Sequence, residues 1–138
     1  MSQTVAAIRG VKARGVVVPL KRMVRTAFGV IDSGPLVLID VETDQGVTGR
    51  TYIFAYSKLT LHPLCYLIEE IGRELAGRPV APFDLLAVTP TAHWLEFLDF
   101  AGAILARPAE IVEGSVTARG PGLGIEWNEP AVAKYLVS

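Results

Sequence analysis

The sequence is poor in cysteine: Cys65 stands alone, so no disulfide can form within the chain. Disulfides are rare in proteins from reducing compartments but common in secreted ones, and we therefore expect a cytoplasmic protein. Long apolar runs are absent as well. No stretch approaches the roughly 18 consecutive apolar residues that a membrane span requires, and residues 1–4 lack the basic start of a signal peptide. These absences predict a protein without a membrane partner.

An excess of positive charge is also missing. The chain has 13 Lys and Arg residues against 14 Asp and Glu residues, which gives a formal net charge of −1. Domains that bind nucleic acid normally carry a pronounced basic excess, so we expect no nucleic-acid partner. What is present is a globular composition, with 51% apolar and 20% charged residues. At 138 residues the chain fits the size range of one domain.

Motifs that would provide a catalytic centre are missing too. The two histidines, His62 and His93, have no H-E-x-x-H or C-x-x-C spacing around them that would predict a metal site. The sequence also contains no G-x-S-x-G and no K-x-K motif. From the residues alone we therefore predict no catalytic residue, no metal ligand and no cofactor.

Two weaker patterns leave alternatives open. Cys65 follows His62 by three residues on a predicted helix, so the two could form a nucleophile and its base. A buried and inert Cys65 is the favoured interpretation. The glycine-rich segment 120–124 resembles a phosphate-binding loop, which needs a helix directly after it. The segment 125–127 has a strand pattern instead, so a plain turn is favoured.

Cations and apolar residues are mixed early in the chain. Lys21, Arg22 and Arg25 lie close in sequence to Val24 and Phe28. Arginine and lysine side chains commonly bind carboxylates. This segment is therefore either a site for a small carboxylate or a solvated loop.

The apolar pattern in the first half of the chain predicts three β-strands. A first strand over 5–18 ends at Pro19, and a loop follows over 20–35. Strands over 36–43 and 47–55 then form a hairpin, because a short glycine-containing turn separates them. Three consecutive antiparallel strands predict a meander with a buried face.

Apolar residues at helical spacing predict a helix that has Thr60 as its N-cap and stops at Gly77. Its buried stripe is expected to contain Leu61, Leu64, Leu67, Ile68, Ile71 and Leu75. Further strand patterns at 111–118 and 125–127 and a helical segment at 130–136 follow. We predict an α+β fold in which a three-stranded antiparallel meander packs on helices and is completed by C-terminal strands.

The hairpin and its surroundings are similar to a known family. The segments 35–40, 46–49 and 52–56, together with 18–20 and 24–29 upstream, resemble the N-terminal capping domain of the mandelate racemase family in the enolase superfamily. The fold expected from this resemblance is that of the enolase N-terminal domain.

Beyond this block, the resemblance continues in a different part of the family's sequence. The segments 85–96, 98–99, 121–125 and 134–137 are similar to the part of that family that follows its barrel. We therefore expect one capping domain over residues 1–138, made of an N-terminal block (1–84) and a C-terminal block (85–138). The two blocks join where a barrel, typically of about 250 residues, would be inserted.

In the family, the barrel carries the Mg²⁺ ligands, the catalytic bases and an electrophilic Glu, and none of these can be placed in this sequence. The resemblance therefore implies a non-catalytic lid domain that is related to an isomerase but has no racemase activity alone. By position, Val24, Phe28, Phe54 and Tyr56 correspond to the lids and would form the wall for an aromatic ring.

Three kinds of partner are consistent with this interpretation. Removal of a barrel uncovers apolar surface, which predicts a homo-oligomer formed through that surface. A separate barrel chain could instead complete the protein. The lids could also bind small aromatic carboxylates weakly, because half a pocket buries too little of a ligand for tight binding.

Overall fold

The computed structural model describes residues 6–27, 29–80, 99–116 and 123–137. Its centre is a three-stranded antiparallel sheet with strand order β1-β2-β3, in which β1 spans Ile8–Thr26, β2 spans Gly29–Thr43 and β3 spans Thr48–Phe54. The predicted meander is therefore confirmed, and so is the hairpin between β2 and β3. Gly46 adopts a φ of +78° in the turn between them, a conformation that favours glycine.

The loop predicted over 20–35 is wrong, because both flanking strands continue through it. β1 runs past Pro19 to Thr26, and β2 already begins at Gly29. The pairing of the two strands shifts register between Pro19 and Val24. Since β1 is an edge strand, the missing N–H of Pro19 need not interrupt the sheet. Proline and glycine in this segment did indicate an irregular backbone. The irregularity is a register shift within a strand pair, and not a loop.

The core of the sheet is β2, which is buried on both faces. Leu36 and Leu38 belong to one apolar cluster, whereas Val37 and Ile39 belong to a second cluster on the opposite face. A run of consecutive apolar residues is typical of a strand that is covered on both sides. The described part of the chain supplies a cover for each face.

The first cover is the helix α1, Leu61–Leu75. Thr60 is its N-cap residue, as predicted, but the Thr60 hydroxyl donates to the carbonyl oxygens of Ala55 and Ser57 rather than capping the helix. The chain turns away at Gly77, which has a φ of +80°, and the predicted stop is confirmed.

The face of α1 that packs on β1 is narrower than the predicted stripe. Leu61 and Gly72 are its buried residues, and a Cβ atom on Gly72 would lie 2.5 Å from Cβ of Val11. By contrast, Leu67 is 52% and Ile71 48% exposed. The helix approaches β1 where its side chains are small, and this rotates part of the apolar stripe towards the solvent. The prediction that Leu67 and Ile71 are buried is therefore wrong.

The second cover comes from the C-terminal part of the chain. It consists of a 3₁₀ helix, Gly102–Ile104, the buried Trp127, and the helix α2, Glu129–Tyr135, which contributes Val132. These groups pack on Val16, Val18, Leu36 and Leu38. The α+β fold class is confirmed.

The C-terminal strands β4 (Ile111–Val112) and β5 (Ser115–Val116) form a separate, exposed two-stranded sheet. Within the described residues, the β-type pairing of the C-terminal part with the meander is one bridge, between Val16 and Leu136. The boundary between the two predicted blocks, at 84/85, lies outside the described residues. Among the helices that the structure describes, none has the length and apolar character needed to cross a membrane.

A cluster of charged groups joins the sheet to this C-terminal cover. Asp40 accepts a hydrogen bond of 2.7 Å from Nε1 of Trp127 and lies 3.2 Å from a guanidinium nitrogen of Arg14 and 3.3 Å from Nε of Arg50. Arg14 also contacts Glu129 at 2.6 Å. This hydrogen bond with Glu129 raises the pKa of Arg14 and lowers that of Glu129.

Candidate functional site

A cleft lies where the β1–β2 hairpin ends and the chain leaves β3. Its volume is about 390 Å³, and its walls are formed by Thr26, Gly29, Val30, Ile31 and Tyr56. Small-molecule pockets commonly have volumes of about 300–1,000 Å³ and mostly apolar walls. The size and composition of this cleft therefore suit one small ligand with an apolar part.

Of the four lid residues predicted from the sequence, Val24 lies on the hairpin side of the cleft. Val24 is half-buried and pairs with Ile31 across the two strands, so it lies next to the cleft wall. Phe28 lies outside the described residues. Sequence reasoning missed Ile31, because it placed this residue in a loop rather than opposite Val24 in a strand pair.

Of the other two predicted residues, Tyr56 lines the cleft and Phe54 is in contact with Tyr56. The rings of Phe54 and Tyr56 meet edge to face, with centroids 4.8 Å apart. Phe54 also stacks on Phe100, with centroids 4.5 Å apart. Aromatic pairs at these distances stabilise each other beyond the area that they bury. Sequence reasoning missed Phe100, because no periodic pattern surrounds it.

Tyr56 has an unusual backbone conformation for its residue type. Its φ is +58°, in the left-handed region, and its side chain is exposed, with a relative exposure of 87%. The preceding residue is fixed on both sides, because the N–H of Ala55 donates to the carbonyl of Pro35 and the Ala55 carbonyl accepts from Thr60. Strained residues held in this way are concentrated at functional sites.

Cations lie on the same hairpin as the cleft. Lys21, Arg22 and Arg25 are all exposed on β1, and within the described residues none of the three forms an ion pair. This half of β1 therefore combines an apolar wall with positive charge that has no carboxylate partner in the described part of the chain.

The pair of Cys65 and His62 does not have the properties of a nucleophile and its base. Burial, with a smaller contribution from the charge of Glu69, raises the pKa of the Cys65 thiol. Such a thiol stays protonated at neutral pH, whereas a nucleophilic cysteine needs the thiolate. Both residues lie on α1, away from the residues that line the cleft. His93 lies outside the described residues.

The glycine-rich segment likewise has no phosphate-binding geometry where the structure describes it. Gly124 adopts a φ of +63°, and the next helix, α2, begins only at Glu129. Residues 120–122 lie outside the described part.

A second cavity, of about 230 Å³, lies between β1 and α1 and has Arg9 and Arg73 in its wall. Both cations already have carboxylate partners, since Arg9 contacts Glu42 at 2.6 Å and Arg73 contacts Glu70. This cavity therefore has little free positive charge to offer an anion.

Comparisons with known proteins identify the family of this chain. The family model for the N-terminal domain of mandelate racemase / muconate lactonizing enzyme matches residues 8–104. This chain belongs to that family.

Solved structures show how much of the chain is similar to known proteins. An enolase from Bradyrhizobium, crystallised in complex with magnesium and mandelic acid, is 25% identical in sequence and matches with a TM-score of 0.86. The alignment covers 99% of this chain and 100% of that chain. The match therefore includes the C-terminal part as well as the meander.

A second structure, an enolase from an alpha proteobacterium (bal199) with bound Mg, is 36% identical over 56% of this chain, with a TM-score of 0.51. The match spans only 21% of that longer chain. Here only the domain, and not the whole enzyme, is comparable.

Proposed function

We propose that this chain is a non-catalytic capping domain, which acts as a lid over a ligand and has no racemase activity alone. The observation that carries this proposal is the cleft, in which the end of the β1–β2 hairpin and Tyr56 form one largely apolar wall. Lids of this kind close over a substrate and exclude water from it. The exposed ring of Tyr56 provides an apolar surface that a ligand could contact. The backbone before it is fixed by the hydrogen bonds of Ala55.

The chemistry of the cleft supports a role without catalysis. Abstraction of a proton next to a carboxylate needs a base within hydrogen-bond reach and a cation to stabilise the resulting charge. The side chains in the cleft wall are apolar except for Thr26 and Tyr56. Among the described residues no three His, Cys, Asp or Glu side chains lie close enough to hold a metal ion. Magnesium, which prefers several oxygen ligands, does not fit the cleft.

The ligand proposed for the cleft is a small aromatic carboxylate. An aromatic ring would lie against Tyr56, whose ring is supported by Phe54, and its carboxylate would meet the cations of β1. The mandelic acid bound by the Bradyrhizobium enzyme belongs to this class of molecule. Because the cleft is open on one side, we expect millimolar binding by the chain alone.

A separate barrel chain is the partner proposed to complete the pocket. The Bradyrhizobium chain has nearly the same extent as this one, and its crystal contains both magnesium and mandelic acid. This likeness favours a cap that works beside a second polypeptide. A cytoplasmic location is part of the same proposal and rests on the cysteine-poor sequence.

The test has two parts, both on the full chain. In the first, mandelate is titrated into ¹⁵N-labelled protein, and amide shifts are expected near Val24, Ile31 and Tyr56. A Tyr56→Ala variant should lose these shifts, whereas Tyr66→Ala, on the exposed side of α1, should keep them. Shifts that are absent at 10 mM ligand, or that are confined to other surfaces, contradict the lid.

In the second part, racemisation of mandelate is followed by circular dichroism with added Mg²⁺. We expect no rate above that of the buffer. A metal-dependent rate that co-purifies with the chain and disappears with Tyr56→Ala would show that the domain is catalytic after all.

A further inference from the structure

The helix α1 covers only part of one face of the sheet. Val37 of β2 is fully buried on this face, whereas Ile53, which lies directly opposite it on β3, is 43% exposed. The apolar cluster around Val37 contains residues of β1, β2 and α1, and Ala55 after the end of β3, but among the described residues it contains none of β3 itself. The cover therefore ends between β2 and β3.

The polar flank of α1 faces the outer edge of β1. On this edge the carbonyl of Gly15 accepts from the N–H of Val137, and alternate residues of a strand direct their backbone groups to the same side. The N–H of Ala13 therefore points outwards as well, and it lies 3.4 Å from a carboxylate oxygen of Glu69. Glu69 thus shows which side of the helix lies above the outer edge of the sheet.

The opposite flank of α1 is apolar and lies on the side of β3. Residues that are three and four positions apart share one side of a helix. This flank contains Leu64, Leu67, Ile71 and Leu75. Leu67 and Ile71, at its outer side, are about half exposed although they lie next to the sheet. Nothing in the described part of the chain covers them fully.

Three residues of β3 lie opposite this flank. Gly49, Thr51 and Ile53 pair with residues of β2 that belong to the apolar cluster under α1, so they point to the face on which α1 lies. A Cβ atom added to Gly49 would meet no atom within 4 Å, which shows open space above this strand. We call the space between these three residues and the apolar flank of α1 the α1–β3 groove.

The α1–β3 groove has the dimensions of one helix. Neighbouring strands lie about 4.8 Å apart, so β3 lies roughly 10 Å from β1, which is also about the distance between two packed helices. Since α1 packs mainly on β1, a second helix beside it would lie above β3. The 7 residues of β3 extend over about 23 Å, and the 15 residues of α1 extend over about 22 Å. A helix of about four turns therefore fills the groove.

The charge at the rim of the groove indicates what kind of helix fits. Glu74 follows Ile71 by three residues and borders the apolar flank, and it forms no ion pair within the described residues. The groove therefore favours a helix that has Lys or Arg beside its apolar stripe. A second copy of α1 would bring the same carboxylate to this rim. The segment 81–98 contains Asp84 and Glu96 but no Lys or Arg, so it lacks the complementary charge too.

We propose that the α1–β3 groove binds one amphipathic helix of the separate barrel chain. Its apolar stripe packs against Leu67, Ile71 and Ile53, and a basic residue lies opposite Glu74. Recognition of this kind uses apolar side chains at helical spacing, and it buries apolar surface that is otherwise exposed. The inference rests on the proposed function for the source of the helix, but it does not involve the cleft at Tyr56.

Two synthetic peptides of the length of α1 test the groove on the full chain. One has leucines at helical spacing along one face and lysines beside them, and the other has glutamates in place of the lysines. The lysine peptide should bind to ¹⁵N-labelled protein and shift the amides of Ile53, Leu67 and Ile71. The glutamate peptide should bind at least tenfold more weakly, because it repels Glu74. The variant Glu74→Lys should reverse this preference.

Substitutions in the wall separate the groove from other surfaces. Leu67→Asn should raise the Kd of the lysine peptide about tenfold, since it replaces an apolar contact with a polar group that loses its water. Tyr66→Asn is the matched control, because Tyr66 is exposed on the other side of the same helix, and its Kd should change less than threefold.

The groove and the lid can be tested independently. Tyr56→Ala should bind the lysine peptide like the wild type, and Leu67→Asn should keep the amide shifts caused by mandelate. Peptide binding without mandelate binding would therefore contradict the lid alone, and the reverse result would contradict the groove alone.

Several results overturn the groove proposal. They are no binding of either peptide at about 1 mM, equal binding of both peptides, and shifts confined to other surfaces. A wild-type dimer that Leu67→Asn dissociates in sedimentation experiments would assign the groove to a second copy. Nuclear Overhauser effects between Leu67 and residues 81–98 would show that the chain fills the groove itself. Either of these two results also contradicts a helix from a separate chain.

Discussion

Nε1 of Trp127 donates a hydrogen bond of 2.7 Å to Oδ1 of Asp40, and the two residues are 87 positions apart in the chain. Asp40 lies on the central strand, whereas Trp127 precedes α2. The same carboxylate lies next to Arg14 and Arg50, and Arg14 in turn contacts Glu129. One carboxylate thus connects the meander to the C-terminal cover.

We predict that Trp127→Phe lowers the free energy of unfolding by about 1.5–3 kcal/mol. The variant removes the donor from a charged acceptor that is mostly buried, and hydrogen bonds to charged groups contribute about that much. Urea unfolding of the two proteins measures the difference. Glu126→Gln, which breaks an exposed ion pair with Arg107, is the control and should cost under about 1 kcal/mol. If both variants lose the same unfolding free energy, the hydrogen bond of the Trp127 indole has no special contribution to stability.

Glu129 should contribute a pH-dependent part of the stability. Its hydrogen bond with Arg14 lowers its pKa below the usual 4.5. A group whose pKa is lower in the folded state stabilises the fold above its unfolded pKa, and that contribution is lost as the pH falls through the folded pKa. The effect is small because the side chain is 61% exposed. Glu129→Gln should therefore flatten the decline of the unfolding free energy below pH 4.5.

The control for this titration is Glu110→Gln, since Glu110 is exposed and has no ion pair among the described residues. Its stability should follow the wild-type pH profile. Added salt should reduce the difference between wild type and Glu129→Gln, because it screens exposed charges. A salt-independent difference would contradict an ion-pair origin.

Gly72→Ala should destabilise the domain, although the same change usually stabilises a helix interior by up to about 1 kcal/mol. The added Cβ atom would lie 2.5 Å from Cβ of Val11, so α1 must move away from β1. Overpacking of this kind costs about 1–3 kcal/mol. Thermal and urea unfolding measure it, with Glu74→Ala on the exposed side of α1 as a control that should be neutral. A stabilised Gly72→Ala variant would show that the helix can shift freely.

Tyr56→Gly should separate stability from ligand binding. Glycine relieves the left-handed φ of +58°, and this gain offsets the loss of the edge-to-face pair with Phe54, so the unfolding free energy should change by less than about 1 kcal/mol. Binding of mandelate should nevertheless be lost with the ring. Tyr66→Gly, within α1, should instead lose about 1 kcal/mol and keep the binding. A Tyr56→Gly variant that binds normally would exclude Tyr56 from the lid.

Local sequence patterns predicted the turns and helix ends where a single glycine determines the backbone conformation. Gly46 and Gly77 mark the turn of the β2–β3 hairpin and the end of α1, because both need a positive φ. The β1–β2 hairpin could not be predicted in the same way. Pro19 is a local stop signal, but the pairing of Val24 with Ile31 beyond the register shift is a tertiary contact that outweighs it.

Tertiary contacts that local patterns cannot predict also decide the packing face of α1 and the surroundings of the candidate site. The apolar stripe through Leu67 and Ile71 predicts burial, but a close approach at Gly72 decides the orientation of the helix. Phe54 and Tyr56 were found through the family resemblance rather than through their chemistry. Phe100 was missed because its contact with Phe54 joins two distant parts of the chain.

The apolar face that packs on the C-terminal cover is exposed while the chain is being synthesised. It consists of Val16, Val18, Leu36 and Leu38. This apolar face is complete once β2 has left the ribosome, but the residues that cover it, including Trp127 and Val132, are translated considerably later. At translation rates of about 5–20 residues per second, the face stays open to solvent for several seconds in every new molecule. During this interval no later residue of the described C-terminal cover protects the apolar face, and the face is closed only when α2 has been made.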